Sequence, residues 1–77
     1  MSKTMIMFQD ARDIEDFANK MSKYPYDMDL KRGRFIVDAK SILSIMNMGV
    51  HNKIEFKVHE DEEDLSNLWG DIKPYMA

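Results

Sequence analysis

Two stretches of the chain repeat their apolar residues with the period of an α-helix, and the stretches between them alternate with the period of a strand. The first helical stripe, spaced i, i+3, i+4 and i+7, consists of Ile14, Phe17, Ala18 and Met21. The second has the same spacing and consists of Leu65, Leu68, Trp69 and Ile72. Each stripe covers one face of a helix, so each helix needs another layer to pack against.

The signals at the helix ends fix where the first helix lies. Asp10 is a suitable N-cap, because its carboxylate can accept a hydrogen bond from a free amide of the first turn. Asp13 stands at the third helical position, where a carboxylate completes a capping box. Pro25 cannot continue a helix, so we predict a helix from about Ala11 to Ser22.

The last helix follows a run of acidic residues. We expect the carboxylates of residues 60–64 to lie at its first turn, where the helix dipole favours negative charge. Gly70 weakens this helix by roughly 1 kcal/mol compared with alanine. Pro74 is predicted to end or bend it.

Three segments alternate with the period of a strand. Residues 3–8 are largely apolar on both faces, which predicts an inner strand of a sheet. Residues 26–38 read as a hairpin with its turn at Arg32-Gly33. Residues 53–58 alternate charged and apolar side chains, which indicates a strand with one face in water.

A short helix is expected between the hairpin and the last strand. Ser41 is its predicted N-cap, and Gly49 suits the left-handed position just past its end. One face of this helix consists of Ile42, Ile45 and Met46. Leu43 points elsewhere, so a short helix leaves it poorly buried.

The order of these elements is strand, helix, strand, strand, helix, strand, helix. It predicts an α+β fold with a four-stranded antiparallel sheet and three helices on one face, in a single domain over residues 1–77. A net charge of −3 disfavours nucleic acid as a partner. No apolar run is long enough for a membrane span, no signal peptide is apparent, and there is no cysteine, so a cytoplasmic protein is expected.

Two short motifs carry a family resemblance. Residues 37–43, Val-Asp-Ala-Lys-Ser-Ile-Leu, resemble the regulatory-serine segment of the HPr family, the small phosphocarriers of the sugar phosphotransferase system. Residues 10–13, Asp-Ala-Arg-Asp, stand where the family has an acceptor histidine followed by Ala-Arg-Pro, and the interval of 31 residues to Ser41 (41 − 10) agrees with the family spacing. The resemblance implies the HPr-like open-faced β-sandwich, which has the element order given above.

The resemblance also carries expectations about function. In the family the histidine accepts a phosphoryl group from enzyme I and passes it to sugar-specific acceptors, but here Asp10 replaces it while Arg12 remains. The chain is similar in this respect to the catabolite-repression homologues of HPr, which imply a regulatory binding protein phosphorylated at Ser41 by a dedicated kinase. Expected partners are this kinase, a transcription regulator or phosphotransferase-system proteins. The contact residues implied are Arg12, Lys40, Ile42, Leu43 and Met46. We expect no cofactor or metal, and a monomer or weak dimer.

Two alternatives remain open on the sequence. A carboxylate can accept a phosphoryl group, so Asp10 is a candidate acceptor of a genuine phosphocarrier; Asp13, Glu15 and Asp16 would oppose the added negative charge. His59 beside Glu60, Asp61, Glu62 and Glu63 is a candidate metal ligand, although adjacent residues of an extended segment point apart and no second histidine has ligand spacing. The sequence contains no evident nucleophile–base pair, so it gives no indication of a free-standing enzyme.

Overall fold

The computed structural model describes residues 3–60 and 63–77, and the elements within them follow the predicted order. The strands are β1 (Lys3–Ile6), β2 (Met28–Arg32), β3 (Phe35–Asp38) and β4 (Ile54–Val58). The helices are α1 (Ala11–Met21), α2 (Ile42–Met48) and α3 (Ser66–Ile72), the last followed by a 3₁₀ turn at Lys73–Tyr75. None of the helices in these residues is long and apolar enough to cross a bilayer.

The strands form one antiparallel sheet in the order β1-β4-β2-β3, with the helices on one face, as predicted. The central strand β4 pairs Phe56 with Thr4 of β1 and with Leu30 of β2. This register points Leu30 and Phe56 into the core between sheet and helices, and both are fully buried.

Phe17 of α1 is the aromatic centre of the core and is fully buried. Its ring lies edge-on to three others, with centroid distances of 5.1 Å to Phe8, 6.1 Å to Phe56 and 5.3 Å to Tyr75. Phe17 therefore joins α1 to the sheet and to the end of the chain in one contact cluster.

The prediction that the first strand is an inner strand is wrong. Among the strands of the described residues β1 pairs with β4 alone, so it lies at an edge of the sheet; Ile6 also forms a single antiparallel bridge with Met76. Its outer side is nevertheless covered by the last residues: the amide of Met7 donates to the carbonyl of Tyr75 over 2.8 Å, and that of Ala77 donates to Met5 over 3.1 Å. These bonds satisfy backbone groups at the outer edge of β1, while Met5 on its outer face remains 41% exposed.

Two glycines occupy backbone conformations that other residues avoid. Gly33 has φ 59° and is the first residue of a two-residue loop, Gly33-Arg34, one position later than predicted from the sequence. Gly49 follows α2 with φ 83° and ψ −177°. The sequence predicted the left-handed helical conformation there, but this combination belongs to a region that is essentially reserved for glycine.

The acidic run precedes the last helix instead of filling its first turn, which contains no acidic residue. Asp64 accepts hydrogen bonds from the amide and the hydroxyl of Ser66, and the bond from the hydroxyl is the main reason why the pKa of Asp64 is lowered. Glu60 accepts a bond from the amide of Glu63 over 3.2 Å. The predictions for Asp61 and Glu62 fall outside the described residues. The break at Pro74 is confirmed, since α3 ends at Ile72.

Candidate functional site

Asp10 lies at the N-terminal mouth of α1, as its predicted capping role requires. Its backbone is extended, with φ −157° and ψ 179°, and its Oδ1 accepts a hydrogen bond from the amide of Asp13 over 2.9 Å. Asp13 in turn accepts a bond from the amide of Gln9 over 2.8 Å. Carboxylates therefore accept bonds from the amides of Asp13 and Gln9 at this end, and the side chain of Asp10 is engaged in capping the helix.

Arg12 occupies the first turn of α1 with its side chain in solvent. Within residues 3–60 and 63–77 its guanidinium makes no hydrogen bond or ion pair. This cation is therefore available to an incoming anion or to an acidic partner.

A second segment of the chain lies against the mouth of α1. The amide of His51 donates to the carbonyl of Phe8 over 2.8 Å, so the loop after α2 runs beside the residues that lead into Asp10. His51 has φ 62°, an uncommon left-handed conformation for a residue other than glycine, and its side chain is exposed. No local pattern in the sequence indicates that this loop lies beside the start of α1.

Ser41 is the N-cap of α2, as predicted. Its Oγ is 3.0 Å from the Oγ of Ser44 and 3.4 Å from the Ser44 amide, which donates to it. The side chain is half-buried. A hydroxyl in this position stabilises the first turn, and modifying it would place a new group directly at the start of the helix.

The apolar residues beside Ser41 differ in burial. Ile42 and Met46 are half-buried and pack against the core, whereas Leu43 is 80% exposed. The prediction that this short helix leaves Leu43 outside the core is confirmed. Leu43, next to the capping serine, is thus an apolar side chain that the fold of a single chain does not use.

One known protein family matches a span of the chain that includes both Asp10 and Ser41. The family described as "PTS HPr component phosphorylation site" matches residues 9–76, a span that contains both the mouth of α1 and the cap of α2. The chain belongs to this HPr family. No curated protein sequence gives a significant match.

Solved HPr structures have the same fold. HPr-C-His from Thermoanaerobacter tengcongensis superposes with a TM-score of 0.76 at 23% identity, covering 96% of this chain and 89% of its own. The phosphocarrier protein HPr from Bacillus anthracis gives a TM-score of 0.76 at 17% identity, covering 96% and 95%. The histidine-containing phosphocarrier protein of Mycoplasma gives 0.69 at 20% identity, covering 95% and 89%. Likeness at such identities supports the fold alone.

Lys40, which precedes the capping serine, is engaged in contacts with other parts of the chain. Its Nζ donates to the carbonyl of Tyr24 over 2.7 Å, and its amide donates to Oδ1 of Asp38 over 2.9 Å. The family resemblance implied that Lys40 is a contact residue for a partner, beside Ser41. In the structure it ties the loop after α1 to the start of α2.

His59 does not face the acidic run that follows it. Its Nε2 lies 2.6 Å from Oδ2 of Asp29 on the neighbouring strand β2, and both side chains are about two-fifths exposed. Between residues 3 and 60 and from 63 onward, no three His, Asp or Glu side chains gather in a way that could hold a metal ion. The alternation of strand residues could have indicated the His59–Asp29 pairing only if the register between the strands were known.

Sequence reasoning also missed the contact of Tyr24 with α3. The Tyr24 hydroxyl donates a short hydrogen bond to Oδ2 of Asp71, and its ring stacks on that of Tyr26 with centroids 6.2 Å apart. The bond to Asp71, with smaller contributions from burial and from the negative charge of Asp71, raises the pKa of Tyr24 from 10.0 to about 12.

This pKa shift predicts a dependence of stability on alkaline pH. Because the pKa of Tyr24 is higher in the folded chain, its contribution to stability is complete below pH 10.0 and is lost as the pH rises through about 12. We expect Tyr24→Phe to destabilise the fold by roughly 0.5–1 kcal/mol at neutral pH, since the pair is partly exposed. The difference in unfolding free energy between Tyr24→Phe and wild type should fall towards zero between those two pH values.

Urea unfolding of both proteins at a series of pH values measures this gap. All other titratable groups are common to both proteins, so their contributions cancel in the difference. A gap that stays constant up to the highest pH would contradict the assigned role of the Tyr24–Asp71 bond.

Proposed function

We propose that this HPr-family chain is a regulatory binding protein, in which Ser41 is a phosphorylation switch and the surface of Ile42, Leu43 and Met46 beside it contacts protein partners. The observation that carries the proposal is Leu43, 80% exposed immediately after the capping serine. Leu43 lies beside the half-buried Ile42 and Met46 on α2, and a contiguous apolar surface next to a modifiable hydroxyl is a feature of protein-binding sites.

Phosphorylation of Ser41 would change the charge of this surface. A kinase would transfer the terminal phosphoryl group of ATP to the Ser41 Oγ, releasing ADP and the hydroxyl proton, and would add a charge of about −1.5 to −2. The Oγ would lose the proton that it can donate to Ser44, 3.0 Å away. Lys40 would have to leave the Tyr24 carbonyl before its ammonium could reach the phosphate.

The carboxylates at the mouth of α1 support a chain without carrier chemistry. Phosphorylating Asp10 would disturb the bond that its Oδ1 accepts from the Asp13 amide. It would also add negative charge beside the Asp13 carboxylate, with Arg12 as the compensating cation. The alternative function, a phosphocarrier that uses Asp10, has to overcome both effects.

The test combines two reactions on one set of variants. Incubation with an HPr-type serine kinase and ATP, followed by mass spectrometry, should place one phosphoryl group on wild type and on Ser44→Ala and none on Ser41→Ala. Ser44→Ala is the matched control because Ser44 is the neighbouring hydroxyl. Modification that persists in Ser41→Ala, or wild type left unmodified, would rule out the switch.

The second reaction supplies enzyme I and phosphoenolpyruvate. We expect no transfer to wild type, whereas labelling that disappears in Asp10→Ala would establish the phosphocarrier alternative.

The role of Leu43 is tested by its charge variant. We expect Leu43→Glu to lower kcat/KM for kinase-catalysed phosphorylation of Ser41 by about tenfold or more, the equivalent of 1.4 kcal/mol, because it removes an apolar contact beside the reacting hydroxyl. Phe35→Glu is the control, since Phe35 is 72% exposed on a different element. Equal kcat/KM values for the two variants would contradict a docking role for Leu43.

A further inference from the structure

The outer edge of β3 has the properties of a self-pairing strand. β3 pairs with β2 on one side, and its other side faces no strand within the described residues. Natural proteins protect sheet edges with short strands, charged side chains, proline or a bulge. β3 is short, but its one charged residue, Asp38, stands at its end. Phe35–Asp38 contains neither lysine nor proline, and Phe35 and Ile36 are 72% and 61% exposed.

The register of the hairpin shows which backbone groups of β3 point outward. The amide of Ala39 donates to the carbonyl of Met28, so these two residues are a hydrogen-bonded pair. Such pairs alternate along an antiparallel ladder, which makes Val37 and Phe35 the next residues bonded to β2. The backbone groups of Ile36 and Asp38 therefore point away from the sheet. The Asp38 carbonyl accepts a bond from the Ser41 amide, which agrees with this assignment.

The side chains along this edge are complementary to those of a second, antiparallel copy of the same strand. Residues 34–38 read Arg-Phe-Ile-Val-Asp, with a cation at one end, an anion at the other and three apolar residues between. An antiparallel copy centred on Ile36 would face Ile36 with Ile36, Phe35 with Val37 and Arg34 with Asp38. We propose that two copies of this chain associate through β3 in this register, joining their sheets into one of eight strands.

This register satisfies the backbone as well as the side chains. The outward amide and carbonyl of Ile36 meet the same groups of the second copy, so the two residues exchange two hydrogen bonds across the two-fold axis. Each of the two Arg34–Asp38 contacts brings together opposite charges. A parallel copy would instead bring Arg34 near Arg34 and Asp38 near Asp38.

The helix side of β3 offers a place for the aromatic ring. A groove of about 280 Å³ lies between β3 and α2, and it is lined by Arg32, Phe35, Val37, Ser44, Asn47 and Met48. Phe35 and Val37 lie on this face of β3, because Val37 pairs with the buried Leu30. In the proposed dimer each Phe35 packs on Val37 of the second copy at the rim of that groove.

The association should be weak, because each copy contributes only the five residues 34–38. We expect a dissociation constant between about 10 µM and 1 mM. Sedimentation of the full chain at low ionic strength should show the average mass rising with concentration from the monomer value of 9.1 kDa towards twice that value. A single 9.1 kDa species at about 1 mM would overturn the proposal.

Charge-reversal variants test the register. Arg34→Asp and Asp38→Arg should each raise the dissociation constant at least tenfold, because they place like charges opposite each other. The double variant restores opposite charges and should return to within about threefold of wild type. Ile36→Lys should abolish association, since it puts two ammonium groups on the two-fold axis. Circular dichroism establishes that each variant is folded.

Leu43→Glu is the control that separates this inference from the proposed function. Leu43 is not on β3, so its variant should dimerise like wild type while losing kinase recognition. Dimerisation that disappears in Leu43→Glu, or that survives in Ile36→Lys, would place the contact elsewhere and overturn the proposal. Failure of the kinase assay leaves this test intact, because no variant in it depends on Ser41.

Discussion

Phe17→Ala is expected to leave most of the protein unfolded at room temperature. Removing a buried phenylalanine costs about 3–5 kcal/mol, and each edge-on aromatic contact adds roughly 0.5–1.5 kcal/mol beyond burial. Phe17 has three such contacts, with Phe8, Phe56 and Tyr75. A chain of 77 residues has a total stability of about 4–12 kcal/mol, so this single change removes a large part of it.

The matched control is Phe35→Ala, which makes the same chemical change on an exposed strand. Phe35 is 72% exposed, so its truncation should change stability by less than about 0.5 kcal/mol. Urea unfolding at low protein concentration measures both variants without a contribution from self-association. Similar losses for the two variants would mean that the core is not centred on Phe17.

Two glycine-to-alanine substitutions are expected to have opposite signs. Gly49→Ala should destabilise the fold by about 1–3 kcal/mol, because φ 83° and ψ −177° are accessible essentially only to glycine. The added Cβ would lie 3.4 Å from Nδ2 of Asn52, so the cost is conformational and not a severe clash. Gly70→Ala should stabilise the fold by about 0.5–1 kcal/mol, since it lies inside α3 with no atom within 4 Å of the added Cβ.

Thermal unfolding of the two variants beside wild type measures both effects. An alanine at position 49 that is tolerated without loss would show that the chain after α2 adopts another conformation. The comparison is informative because the same methyl group is added in both cases and only the backbone differs.

The elements of the fold could be predicted from the sequence because their signals are local. The stripe of Ile14, Phe17, Ala18 and Met21 and the caps at Asp10 and Ser41 all act within about two helical turns. Leu43 could be predicted as exposed for the same reason: its place on a short helix is fixed by its neighbours alone.

Contacts between distant segments could not be predicted in this way. The edge position of β1 depends on residues 75–77, which lie at the other end of the sequence. The position of His51 beside Phe8 depends on how two loops meet, and the capture of Lys40 by the Tyr24 carbonyl depends on the packing of α1. A resemblance to HPr motifs locates Asp10 and Ser41, but it does not report which neighbouring charges are already engaged.

The hydrogen bonds that residues 75–77 make to β1 also limit how far copies of the chain can assemble. A sheet in which both edge strands are unpaired can add molecules at both edges and grow into a fibre. Here one margin is occupied by the chain's own tail, so strand addition at β3 consumes the remaining site and stops at a closed pair. Removing Met76 and Ala77, which keeps the buried Tyr75 in place, would free part of the β1 edge and is expected to let pairs join into longer assemblies.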